Sequence, residues 1–181
     1  GPVVCAAVIL PLEEEKRVLG IDDSKKLSAK KREALAEQIR AAARAYAIAE
    51  VDAATIDEIN ILQATRLCMK RAVDMLAPAA DMVLTDGNMT LDITLPQRSI
   101  VKGDALVCSI GAASILAKVY RDALMAEYAK LYPEYAFERN AGYGTKAHIR
   151  AIREVGACPT QRRRCITKFW GGRERSSSAN T

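Results

Sequence analysis

The chain opens on an almost unbroken apolar run, Pro2 to Leu10, which stops at Pro11 and Glu13-Glu14-Glu15. Continuous apolar character of that length predicts a strand covered on both faces. After the loop Ile21-Asp-Asp-Ser-Lys-Lys-Leu, Ser28 is placed to cap a helix running through Lys31, Ala34, Leu35, Gln38 and Ile39. Arg44 to Val51 then alternates as a strand does, with Tyr46, Ile48 and Glu50 set against Ala45, Ala47 and Ala49. Asp52 caps a short helical piece through Ile59. The next helix begins near Asn60 and puts Ile61, Leu62, Thr65, Met69, Ala72, Val73 and Leu76 on one face, with Pro78 as its stop. Cys68 and Met69 in that helix read as core material.

Two short strands follow, over 81–86 and 98–101, joined by a turn-rich connection with Pro96. A long helix runs from about Ala105 to Tyr132, before Pro133. Thr145 caps a last helix through Val155, and Gly156 ends it. Beyond Cys158-Pro159 the chain is basic and loses its periodicity, and 176–181 reads as disordered. There is no internal repeat and no sign of a second domain.

The chemistry gathers at the two short strands. Asp86 stands where one strand opens into the turn Gly87-Asn88, and Asp104 follows Lys102-Gly103 in front of the long helix. If the two strands are parallel neighbours, both carboxylates reach one sheet edge, and paired oxygen ligands suit a hard divalent cation such as magnesium. Taken singly, each Asp is better read as a turn or cap residue. The pair, with Lys102 close by, tips the balance towards a site. Gly111, Ala112, Ala113 and Ser114 carry little bulk, and a glycine inside a helix costs about 1 kcal/mol against alanine, so position 111 points to close packing. Ser24, Lys25 and Lys26 lie just before a helix start, which favours phosphate, although lysines there usually only face water.

Composition narrows the field. The 181 residues suit one domain, and half of them are hydrophobic with few aromatics, so the core is Ala, Val, Ile and Leu. No apolar run is long enough to cross a bilayer, and no secretion signal is visible. The five cysteines form no Cys-x-x-Cys pair, which argues against zinc and a disulfide framework and for reduced thiols in the cytoplasm. The one histidine, His148, reads as structural or solvated on a surface helix. The net charge of +5 is lopsided: residues 142–181 hold nine Lys or Arg against two Glu, whereas the first 141 hold 18 basic against 20 acidic side chains. A polyanion partner and a solvated tail account for that bias equally well. Tyr143 lies between two glycines. It either stands clear to meet a flat partner or closes the loop over the core, and residue types alone favour the second.

The motifs Asp23-Ser-Lys-Lys-Leu-Ser, Asn60-Ile-Leu-Gln-Ala-Thr, Asp86-Gly-Asn, Ile100-Val-Lys-Gly-Asp, Ala112-Ala-Ser-Ile-Leu-Ala-Lys-Val and Gly142-Tyr-Gly-Thr occur in one order. In that order the chain resembles bacterial ribonuclease HII, the type 2 ribonuclease H, from Gly1 to about Arg163. The resemblance implies an α/β ribonuclease H-like fold, a mixed central sheet flanked by helices, with a helical C-terminal region. One catalytic domain would span 1–170, leaving 171–181 as a disordered tail. It implies a cytoplasmic, monomeric endonuclease that cuts RNA in RNA–DNA hybrids and single ribonucleotides in duplex DNA, using four acids and two Mg2+ or Mn2+ ions. Asp86 matches the third acid and Asp104 the fourth, as catalytic and metal-binding residues. Tyr143 matches the tyrosine that packs at the RNA–DNA junction, and Ser24, Lys25, Lys26 and Lys102 lie in motifs facing the substrate backbone.

The family's first strand carries Asp-Glu and a Gly-Arg-Gly loop just before the residues matching Gly1-Pro2-Val3-Val4, and residues 1–181 do not include that strand. The expectation is therefore an N-terminally truncated polypeptide with the first strand missing, short of two acids and inactive or impaired. Asn140-Ala141 stand where the family has His-Lys, and Gln161 and Arg164-Cys165 depart from its His-Arg-Arg-Ser-Phe. Two other readings use the same residues. One is a non-catalytic basic module that binds nucleic acid without metal. The other is a metal hydrolase for small phosphate esters, which leaves the basic C-terminal part without a role.

Overall fold

The computed structural model describes residues 1–13 and 17–171. Its frame is an antiparallel pair, β1 (Val3–Ile9) on β2 (Ala45–Val51), with Val3 opposite Val51 and Ile9 opposite Ala45. β1 is covered on both faces, as its apolar run predicts. Ala6 and Val8 pack towards α1 (Ala29–Ala42) and the long helix α5 (Cys108–Leu131), in a cluster with Leu35, Ile39, Ile115 and Leu116. Val3, Cys5 and Ala7 pack the other way, on Ala64, Cys68 and Ala72 of α3 (Ile61–Asp74). The period of two along a strand produces this division.

The caps read from the sequence are made. Ser28 Oγ accepts from the Lys31 N–H, Asp52 from that of Thr55 at the head of α2 (Ala53–Ile59), and Thr145 from that of His148 at the head of α7 (Lys146–Val155). Strand β3 (Val83–Asp86) pairs in parallel with β4 (Gln97–Ile100), Asp86 lying opposite Ile100. The four strands form two separate ladders among the described residues. Both strand senses are present, and no described strand joins β1 to β3.

Several expectations are corrected. The buried stripe of α3 is Ala64, Cys68 and Ala72, while Ile61 and Leu62 are about half exposed (47% and 48%). Small side chains let α3 pack closely on the β1–β2 pair. The long helix is broken at Val107, which is extended, leaving a single turn, α4 (Gly103–Leu106), ahead of α5. Past Cys158 the chain does regain periodicity, as α8 (Arg163–Trp170). The backbone N–H groups of Arg163 and Arg164 both donate to the Asp57 carboxylate of α2, 2.6 and 3.0 Å away, and Ile166 is buried. His148 is no surface group, being 3% exposed. It belongs to a C-terminal core of Met125, Tyr135, Phe137, Ile152 and Ile166, to which the short α6 (Phe137–Asn140) also contributes. The 176–181 expectation lies outside the described residues. No helix among those described is long and apolar enough to cross a membrane.

Candidate functional site

Parallel pairing of β3 and β4 decides the geometry around the acids. Asp86 ends β3, and the Gly87 N–H donates to the Ile100 carbonyl at 2.9 Å. The chain then reverses at Lys102, which takes a left-handed conformation (φ 57°, ψ 36°). That reversal aims the Gly103 N–H at Asp86 Oδ1, 2.7 Å away. Asp104 is the next residue, in the first turn of α4, where a negative charge is favoured. Asp86 and the residue preceding Asp104 are thus tied by a charge-assisted hydrogen bond. Gly103 sits 3.5 Å, measured from an ideal Cβ position, from Asp86 Cα and Oδ1 and only 2.6 Å from Ile110 Cδ1, so a side chain there would push into α5.

The small residues of α5 have the packing reason that their sequence suggests. A Cβ on Gly111 would lie 2.8 Å from the Asp104 carbonyl oxygen and 2.7 Å from Ile21 Cγ2. This contact brings the loop over 21–27 beside the Asp104 backbone. The loop is pinned there in two more ways. Ser24 is buried and its hydroxyl meets that of Ser114 at 3.0 Å, while Arg32 of α1 donates to the carbonyls of Ser24 and Leu27. Arg32 and Lys118 both pair with Asp122 of α5. Ser24 is therefore a bracing residue, and Lys25 and Lys26 are the exposed groups that this bracing presents. Lys26 reaches back to Asp22 at 3.5 Å across the surface, a contact worth little.

Asp86 and Asp104 are half-buried, and among the described residues neither carboxylate has a basic partner. Nor do the described residues hold a group of three or more Asp, Glu, His or Cys placed for a metal. A hard divalent cation takes oxygen ligands such as carboxylates. Asp86 and Asp104 are the described side chains that would hold it.

Tyr143 lies elsewhere along α5. Arg121, whose guanidinium stands 5.9 Å from the Tyr143 ring centre, is ten residues past Gly111, or about 15 Å along the helix axis. The ring is 67% exposed and does not close over the core. Its loop is held from several sides. Arg121 donates to the Ala141 carbonyl at 3.1 Å, and buried Asn140 donates to the Tyr135 carbonyl at 2.7 Å while accepting from the Gly142 N–H at 2.8 Å. Asn140, one of the departures from the family pattern, thus serves the loop's interior. Gln161, another, is buried against His148. Both were invisible as braces because their partners are backbone groups and a ring.

Burial holds His148 below the usual imidazole value, partly offset by its bond to the Tyr143 carbonyl. The neutral ring is therefore the folded form. As pH falls below 6.5, the unfolded chain takes up a proton that the folded chain resists. This contribution to stability is complete above that value and is lost as pH drops towards the lower folded one. Thermal melts from about pH 7.5 to about pH 5 should show a falling midpoint, and His148→Gln should flatten the slope. Equal slopes would contradict this.

Comparison with known proteins agrees with the motifs. The family model of ribonuclease HII matches residues 1–170. A ribonuclease HII of Chlorobium chlorochromatii is 54% identical over 166 residues, covering 90% of this chain and 81% of that protein. The crystal structure of ribonuclease H2 from Pyrococcus horikoshii superposes with a TM-score of 0.80 at 24% identity, over 94% of this chain and 90% of the other. Bst-RNase HIII in complex with Mn2+ shares the fold at a TM-score of 0.62 and 20% identity, over 85% of this chain and 57% of that one.

Proposed function

The chain belongs to the ribonuclease HII family, and from that premise we propose that its site cuts the RNA strand of RNA–DNA hybrids and single ribonucleotides within duplex DNA, with Mg2+ or Mn2+. The observation carrying this reading is the Asp86–Gly103 tie, which brings Asp104 to the same end of β3 and β4. A solved structure of like fold holds Mn2+, in keeping with a divalent ion here.

The roles follow from position. Asp86 keeps one oxygen on the Gly103 N–H, which fixes the carboxylate plane and leaves its other oxygen for the ion, and Asp104 supplies a second carboxylate. A bound divalent ion would activate water and stabilise the leaving oxygen. Lys102, exposed at the reversal, offsets the charge of the reacting phosphate. Lys25 and Lys26 meet phosphates along the strand, and Tyr143 packs its open ring on the nucleic acid where RNA joins DNA. A face meant only for binding a polyanion would gain nothing from two unpaired carboxylates, which disfavours the metal-free binding module.

The family pattern requires two further acids and a Gly-Arg-Gly loop, and residues 1–181 supply neither. The polypeptide 1–181 alone is therefore expected to cut a duplex containing one ribonucleotide little or not at all, with either metal. Joining an Asp-Glu and Gly-Arg-Gly strand ahead of Gly1 should bring cleavage up, and a chelator should abolish it. Electrophoresis of end-labelled duplex reads all three. Robust cutting by 1–181 alone would overturn the need for the added acids, and chelator-resistant cutting would overturn the metal site.

A further inference from the structure

Tyr143 is exposed as a side chain yet immobilised as a backbone. Its carbonyl accepts from the Thr145 N–H at 2.8 Å and meets His148 Nδ1 at 2.8 Å. The far side of the ring, Nε2, lies 2.9 Å from Gln161 Nε2. Gln161 Oε1 already accepts from the Cys158 N–H at 2.9 Å, so the amide turns its NH2 to the histidine. An NH2 group only donates, so Nε2 must accept and Nδ1 must carry the proton. That tautomer is the one able to donate to the Tyr143 carbonyl. Tyr135 and Phe137 stand nearly perpendicular to the imidazole, with ring centres 6.2 and 5.5 Å away.

We propose that His148 is a positioning residue for nucleic-acid binding: Gln161 sets its tautomer, and its Nδ1–H holds the Tyr143 backbone so that the open ring is presented to the duplex. This rests on the reading that Tyr143 meets nucleic acid. The chain of contacts runs from Cys158 through Gln161 and His148 to Tyr143, and links the start of the basic C-terminal helix to the aromatic loop. It gives Gln161, a departure from the family pattern, a defined task.

Two isosteric changes separate positioning from mere packing. In His148→Asn the amide N–H takes the place of Nδ1 and keeps the bond to Tyr143, but loses Gln161. In His148→Gln the amide takes the place of Nε2 and keeps Gln161, but loses the Tyr143 carbonyl. Binding of the polypeptide 1–181 to a labelled duplex carrying one ribonucleotide is measured by anisotropy in magnesium, beside amide hydrogen exchange at Thr145. Tyr143→Ala should weaken binding about tenfold, as loss of one stacking platform does. His148→Gln should reproduce most of that loss and speed exchange at Thr145, whereas His148→Asn should do neither. Equal behaviour of the Asn and Gln variants in both readouts overturns the proposal. If Tyr143→Ala binds as tightly as the parent, the role of Tyr143 in nucleic-acid contact fails. Exchange at Thr145 then decides the bracing by itself, with faster exchange in His148→Gln alone upholding it and equal exchange overturning it.

Discussion

Asp104→Asn, made in a polypeptide that carries the Asp-Glu and Gly-Arg-Gly strand ahead of Gly1, should lower cleavage of a ribonucleotide-containing duplex by about a thousandfold or more. The change removes one negative charge from the proposed ligands of the ion and alters little volume. Loss of a single neutral donor at a reacting centre already costs a hundred- to a thousandfold, and a charged ligand of a catalytic ion is worth at least as much. Asp86→Asn should fall as far. Its amide oxygen can still accept from the Gly103 N–H, so the tie between the strands survives. Melting temperatures of both variants should stay within a few degrees of the parent, since the folded contacts persist. A variant that melts normally and cuts normally would remove that carboxylate from the chemistry.

Phe137→Ala should produce the largest loss of stability, about 3–5 kcal/mol, or roughly a 10 °C fall in melting temperature for a chain of this size. Phe137 is 1% exposed, stacked on Tyr135 at 5.4 Å between ring centres and edge-on to His148 at 5.5 Å. The four-residue helix that it begins is bracketed by Ala136 and Ala141, both in left-handed backbone, so little local preference holds that turn in place. Burial of this ring supplies the anchoring that the backbone does not. Leu131→Ala, at a side chain 64% exposed, should change stability by less than about 0.5 kcal/mol and serves as the control. Chemical denaturation reads both. Equal losses at 131 and 137 would contradict the assignment of the C-terminal core.

What could be read from the sequence depended on how local the cause was. β1, β2 and the helices capped by Ser28, Asp52 and Thr145 were legible because their patterns and caps lie within a few residues. The parallel pairing that puts Asp86 beside Gly103 could be guessed from two Asp–Gly joints, since each marks the end of a short apolar run. The helix from Arg163 could not. Its leading N–H groups are satisfied by Asp57, more than a hundred residues earlier, and Arg162 offers no capping side chain. On α3 the expected Cys68 and Ala72 are buried, but Ile61 and Leu62 are not, for a related reason. Hydropathy ranks Ile61 and Leu62 above Ala64, but close packing on the sheet favours the small residue. His148 reads as structural or solvated on a surface helix, and it is structural and buried; its partners Gln161 and Phe137 come from other segments, which local pattern does not reveal.

The reversal at Lys102 sets chemistry and comfort against each other. A residue with a Cβ pays about 1–2 kcal/mol to hold a left-handed turn, a penalty that glycine escapes. Selection for thermal robustness alone would therefore drift towards glycine at 102 and remove the cation that the proposed function gives to the phosphate. On the proposed role of Lys102, the chain tolerates backbone tension there for the sake of a charge, and any stabilised variant has to be checked for turnover before it is trusted.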